Sequence, residues 1–341
     1  MHKKELSQTA CGCLRTVSIV GTGSYMPSRI MTNAELETMV ETSAEWIVTR
    51  TGIAERRIAA ENEATSDMGA EAARRALADA GVKPEEVDII VLATITPDLP
   101  FPNTACLVQD KIGAKNAACF SIEAACSGFV YALEIGKQFV ATGTAKTVLV
   151  VAAEKMSSII DWKDRETCVL FGDGAGACVL RAAEGTRGLM HAVIGSNGAL
   201  AELLMIPGGG SRLPISEEVI RERNHYLKME GREVFRHAVK SMTSIAQQVC
   251  AERGLTTRDV ACIVPHQANI RIIEAIGQRL EEPKEKFFIN LDKYGNTSGA
   301  SVIVALDEAV RAGIIKKGDL AMLLVFGGGF TWGASLLEWS K

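Results

Sequence analysis

The sequence predicts an α/β fold in which helices cover largely parallel or mixed sheets. Three observations lead there. Short, continuous apolar runs alternate with helix-like stretches along the chain. Those runs are apolar on both faces, as strands covered from two sides are. The order of segments also recurs in two parts of the sequence.

The strand-like runs are 87–93, 147–153, 260–264 and 320–326. The helix-like stretches are Thr65–Ala80, Gly128–Ala141, 231–253, Ile270–Leu280 and Ser301–Arg311. Their alternation is that of stacked α/β layers. Phe171-Gly-Asp-Gly-Ala-Gly176 is echoed by Phe326-Gly-Gly-Gly-Phe-Thr-Trp-Gly333, and run 87–93 by run 260–264. Ser127-Gly128 and Ser298-Gly299 each open a helix. The shared order predicts two similar halves, 15–185 and 186–341, after a flexible extension at 1–14. Gly21-Thr-Gly-Ser24, after the first strand, reads as a structural turn, and the chain has neither a Walker A motif nor G-x-G-x-x-G at that place.

Composition narrows the function. The 341 residues carry a net charge of −4, so no basic excess favours nucleic acid. No apolar run reaches the roughly 18 residues of a membrane span. The first 15 residues lack the apolar stretch of a secretory signal. A soluble cytoplasmic protein is expected. Nine cysteines, at 11, 13, 106, 119, 126, 168, 178, 250 and 262, are an odd number and mostly lie in apolar runs. They read as reduced, buried side chains, and Cys11-Gly-Cys13 lacks the second pair that a metal site needs.

Cys126 is the exception. It sits where a strand-like run ends and a long apolar helix begins. A helix start favours thiolate and should lower the thiol pKa from its usual value near 8.5. Two other segments join it. His266 follows a buried strand, with Asn269 placed to cap the next helix. Asn296 lies in the glycine-bearing turn Tyr294-Gly-Asn-Thr-Ser-Gly299. Open α/β sheets place sites at such strand ends.

Cysteine, histidine and asparagine serve two chemistries. In a papain-like hydrolase the histidine is the base and the asparagine orients it, and the 140 residues from 126 to 266 fall in that range. The C-G-[SA]-C-[WY] signature is absent. In a Claisen condensation both residues donate hydrogen bonds to one thioester carbonyl.

Seven motifs in one order resolve the choice: Gly21-Thr-Gly-Ser-Tyr25, Glu45-Trp-Ile-Val-Thr-Arg-Thr-Gly-Ile53, Ala124-Ala-Cys-Ser-Gly128, Phe171-Gly-Asp-Gly-Ala-Gly176, His266-Gln-Ala-Asn269, Gly295-Asn-Thr-Ser298 and Phe326-Gly-Gly-Gly-Phe-Thr-Trp-Gly333. On them the chain resembles the β-ketoacyl-acyl carrier protein synthases III. These are the initiating condensing enzymes of bacterial fatty acid synthesis, in the thiolase superfamily. The resemblance spans nearly everything after about residue 16.

It implies a thiolase-like αβαβα fold, a homodimer, acyl-CoA as a substrate rather than a cofactor, and no metal. Cys126 would take an acyl group from acyl-CoA, with the backbone amides of Cys126 and Gly328 as oxyanion hole. His266 and Asn296 would then hold the thioester oxygen of malonyl-acyl carrier protein during decarboxylation. Trp46 and Arg50 share a helical face. By resemblance they sandwich adenine, with Arg165 nearby and Asn269 along the pantetheine channel. Phe101 would reach across the dimer into the partner's acyl pocket, or else pack within its own loop. Acyl carrier proteins are acidic, so Arg271 and the stripe Arg232, Arg236 and Lys240 are expected to attract them. Sister enzymes that make another ketide or a quinolone share this scaffold.

Overall fold

The computed structural model describes residues 14–341. The extension expected at 1–14 falls, apart from Leu14, outside the described residues, as do Cys11 and Cys13. The strands are β1 (Val17–Tyr25), β2 (Arg29–Thr32), β3 (Glu55–Ile58), β4 (Ile89–Ala93), β5 (Ala118–Ile122), β6 (Thr147–Glu154), β7 (Gly174–Ala182), β8 (Leu189–Ser196), β9 (Leu204–Met205), β10 (Lys228–Met229), β11 (Cys262–Pro265), β12 (Leu320–Gly327) and β13 (Thr331–Glu338).

Two large sheets organise the chain. One runs β1-β7-β6-β4-β5, the other β11-β12-β13-β8. In the first, β7 is antiparallel to β1 and β6, while β4 is parallel to β6 and β5. In the second, β13 is antiparallel to β8 and β12, and β11 is parallel to β12. A parallel bridge from Ile263 to Phe287 extends that sheet where β5 extends the first.

Helices fill three layers. Gly128–Ala141 and Ser301–Arg311 lie between the sheets, and one apolar cluster joins them to both: Phe129 and Leu133 meet Val150, Ile303 and Val325. Thr65–Ala80 and Thr104–Ile112 cover the outer face of the first sheet through Ala72, Ala76 and Val108. Gly231–Ala251 and Ile270–Leu280 cover the second through Met242, Ile245 and Ile276. The result is the expected αβαβα order. The strand interiors are wholly buried, which is why 147–153 and 320–326 show no polar alternation.

Residue-level differences have local causes. Val87 ends a short 3₁₀ turn, so the run at 87–93 becomes a strand only from Ile89. Gly21-Thr-Gly-Ser24 is the interior of β1, not a turn. A Cβ on Gly21 would stand 2.5 Å from Ala80 N, and one on Gly23 2.4 Å from Ala76 N. These glycines let an alanine-faced helix lie directly on the strand, a contact that leaves no room for a side chain.

Strand β5 is a rim. Among the described residues it pairs with β4 alone, and its residues are exposed or half-buried. Cys119 lies on it, half-buried rather than buried as expected, with its sulfur 3.4 Å from that of Cys106. Among the described residues no helix is long and apolar enough to cross a membrane.

Candidate active site

The inner ends of the two sheets and central helices enclose a cavity of about 900 Å³. Cys126, His266 and Asn296 all line it, as do Gly328, Trp46, Arg50, Asn269, Arg232 and Arg271. Residues from opposite ends of the sequence thus share one chamber, with Ile95, Met156, Leu204, Met242 and Phe326 among its apolar walls.

Cys126 is 6% exposed, in a 3₁₀ turn (Ala125–Ser127) that runs into helix Gly128–Ala141. Its neighbour Ala125 is held at φ +45°, a costly conformation for a residue with a Cβ. The expectation of a lowered thiol pKa is overturned. Burial pushes the Cys126 thiol up to about 12; the Ser298 hydroxyl acts the other way, and the Glu154 carboxylate adds to the rise. Loss of water outweighs the helix start, so the resting nucleophile is a thiol.

The bend after β12 presses against Cys126. A Cβ on Gly327 would stand 2.6 Å from Cys126 N and 3.0 Å from Ser127 N. Gly327 makes this close approach; a Cβ on Gly328 would instead meet Leu204 O at 3.2 Å. The bend brings the backbone of 327–329 beside the backbone of Cys126 without a side chain between them.

His266 stands just beyond β11, where its N–H still bonds Leu324 O of β12 at 2.8 Å. Burial alone drops its pKa to about 3, so the ring is neutral. Its Nδ1 lies 2.6 Å from Ser301 Oγ, which also accepts the Gln267 N–H at 3.3 Å. When the Ser301 hydroxyl donates to Nδ1, the ring proton is on Nε2.

Asn296 is fixed by two glycine-bearing turns that cross. Its N–H donates to Leu170 O at 2.8 Å, and Gly172 N–H donates to its carbonyl at 3.1 Å. The Asn296 Oδ1 accepts the Ser298 N–H at 2.8 Å. The Asn296 acceptor atom is therefore engaged by the protein, and His266 Nδ1 is engaged by Ser301.

Trp46 and Arg50 lie on helix Ala44–Thr51, capped by Ser43. The guanidinium over the indole belongs to Arg165, 5.0 Å from the ring centroid. Arg165 is tied to Glu41 O at 3.0 Å. Asn269 caps helix Ile270–Leu280, accepting the Arg271 N–H at 2.9 Å, and donates to Arg50 O at 3.1 Å. Arg232, Arg236, Lys240 and Arg271 are exposed; Arg236 pairs with Glu233, and Arg271 lies 5.9 Å over Phe235. Phe101 is 86% exposed and so does not pack within its own subunit.

Ser301, Ser298 and Glu154 were not singled out from the sequence. Ser298 stood inside a quoted motif, but nothing in the order of residues tells that position 301 meets position 266.

Two family models match the chain: 3-oxoacyl-(acyl-carrier-protein (ACP)) synthase III over residues 120–198, and the C-terminal part of the same family over residues 250–339. The beta-ketoacyl-(acyl-carrier-protein) synthase III of Caldanaerobacter subterraneus subsp. tengcongensis is 55% identical, over 95% of this chain and 98% of its own. That of Roseiflexus castenholzii is 51% identical over the same shares. The crystal structure of 3-oxoacyl-(acyl-carrier-protein) synthase III from Aquifex aeolicus VF5 superposes with a TM-score of 0.89 at 48% identity, covering 95% of this chain and all of that one. With this fold and chamber, the chain belongs to the 3-oxoacyl-(acyl-carrier-protein) synthase III family.

Proposed function

We propose that this protein starts fatty acid synthesis. It transfers an acyl group from acyl-CoA to Cys126, then condenses it with malonyl-acyl carrier protein, releasing carbon dioxide and giving 3-oxoacyl-acyl carrier protein. One observation carries the reading: Cys126, His266 and Asn296 line one chamber, with His266 Nδ1 against the Ser301 hydroxyl and Asn296 Oδ1 taken by the Ser298 N–H.

Two uncharged donors suit an enolate. As malonyl loses carbon dioxide, charge grows on its thioester oxygen, and fixed donors in a dry site stabilise it without reorganising. The carbanion then attacks the acyl-cysteine. The hydrolase alternative needs Asn296 Oδ1 to orient the histidine, but that oxygen is occupied by Ser298 N–H. In the first half-reaction the amides of Cys126 and Gly328 receive the oxyanion.

Trp46 and Arg165 form the adenine clamp, with Arg50 at the same mouth and Asn269 along the pantetheine arm. Arg271, Arg232, Arg236 and Lys240 attract the acidic carrier protein. Phe101 enters the acyl pocket of a second copy, and its exposure supports a homodimer of cytoplasmic subunits. Each subunit divides into halves at 15–185 and 186–341, in keeping with the repeated strand order.

The test uses labelled acetyl-CoA. A stable acyl-Cys126 that turns over only when malonyl-acyl carrier protein is added is the expected result. Acyl-enzyme that hydrolyses unaided would overturn the reading.

A further inference from the structure

Arg56 has no part in the chemistry described so far. It lies on β3, and its side chain is wholly buried. Nη1 donates to Asn33 Oδ1 at 2.7 Å and reaches Met31 O at 3.4 Å, while Nη2 donates to Val169 O at 2.8 Å. All three acceptors are neutral carbonyl or amide oxygens, and Nε has no partner. Burial lowers the pKa only to about 10, so the guanidinium keeps its charge at neutral pH. A buried charge without a counter-ion is costly.

What this charge holds is the floor beneath Asn296. Val169 runs straight into Leu170, whose carbonyl accepts the Asn296 N–H at 2.8 Å. Phe171 bridges Asn296 in parallel, and the Gly172 N–H returns to the Asn296 carbonyl at 3.1 Å. The stem of Arg56 packs under both turns of this crossing. Its Cβ would lie 3.0 Å from a Cβ on Gly172 and 3.4 Å from one on Gly295. The other prong serves the helix that carries Trp46 and Arg50. Asn33 donates through Nδ2 to Ile53 O at 2.8 Å, two residues past the end of that helix. One planar fork therefore spans two segments, 31–33 and 169–172, and fixes the gap between them.

We propose that Arg56 is a positioning residue for condensation: its guanidinium ties Asn33 to Val169 and so holds Asn296 in place against the malonyl thioester oxygen. This rests on Asn296 being a donor in that step. An error of about 1 Å in such a group can cost about 10²-fold in rate. Acylation of Cys126 asks nothing of Asn296, so loss of the fork separates the two half-reactions.

Arg56→Lys in the full chain tests this, with circular dichroism and thermal melting to check folding. A lysine keeps the charge but is a single point, and it reaches Asn33 or Val169 rather than both. Acyl-Cys126 formation is read at saturating acetyl-CoA, because the helix that begins at Arg165 runs into Val169. Condensation is read as kcat and KM with malonyl-acyl carrier protein. The variant should acylate within about threefold of wild type, with KM for the carrier also within about threefold. Its condensation kcat should fall by about 10- to 100-fold. Adding Arg56→Lys to Asn296→Ala should cost nothing beyond the loss in Asn296→Ala alone. Equal falls in both half-reactions, or additive losses in the double variant, would make Arg56 a structural prop and overturn the proposal. An unchanged condensation kcat would overturn it as well. If Arg56→Lys does not fold, Asn33→Ser decides. It shortens the acceptor that aims the fork and leaves Arg56 in place, so the same separation of half-reactions is expected, and its absence overturns the proposal. If Asn296→Ala condenses like the wild type, the donor assignment falls and takes the proposal with it, whereas additive losses sink the role of Arg56 alone.

Discussion

His266 Nδ1 and the Ser301 hydroxyl face each other at 2.6 Å across 35 positions of sequence. With the hydroxyl donating, this contact holds the ring proton on Nε2. Removing the hydroxyl frees the ring to adopt the other tautomer, with an acceptor facing the substrate. Ser301→Ala should lower condensation by about 10- to 100-fold and leave acyl-Cys126 formation within about twofold. Nitrogen-15 spectra of the histidine ring should show the Nε2–H tautomer in the wild type and a mixture in the variant.

His266→Ala removes one donor outright. Condensation should drop by about 10²–10³-fold. Labelled acetyl-CoA should still load Cys126. A variant that cannot be acylated would show that His266 serves the first half-reaction too.

The buried, neutral His266 makes stability depend on pH. Its folded pKa of about 3 lies below the ordinary 6.5. The unfolded chain therefore binds the extra proton between those values. This contribution is complete above pH 6.5 and is lost as pH falls toward 3, with a limiting slope of about 1.4 kcal/mol per pH unit. Denaturant titrations from pH 7 to pH 4.5 should show that slope lessened in His266→Gln.

Gly327→Ala places a methyl 2.6 Å from Cys126 N. The nucleophile turn or the bend after β12 must move. We expect a loss of about 1–3 kcal/mol in stability and a fall of at least about 10²-fold in acylation. Pre-steady-state acylation and thermal melting check the two together.

Arg271→Glu reverses a charge at the chamber mouth. KM for malonyl-acyl carrier protein should rise about tenfold at low salt, and the difference should shrink at high salt. Priming by acyl-CoA should change little. Equal effects on both substrates would count against carrier docking.

Much of this was legible in the residue order. Helices Thr65–Ala80, Gly128–Ala141, Ile270–Leu280 and Ser301–Arg311 begin and end where periodicity put them. Cys126, His266 and Asn296 do line one chamber. What the order could not tell is how effects compete after folding. A helix start favours thiolate, but the depth of burial that opposes it depends on walls drawn from 95, 156, 204 and 326. Arg50 shares a helical face with Trp46, while Arg165 comes from 119 residues further along and takes the indole face. Gly21 and Gly23 resembled a turn because the helix that needs their bareness lies more than 40 positions away.

The rim at β5 has a further consequence. Its outward amide and carbonyl groups form half of a ladder, and any extended segment with matching spacing can complete it. A solitary subunit is therefore adhesive along that line. Protein concentration is therefore a variable to control in every assay.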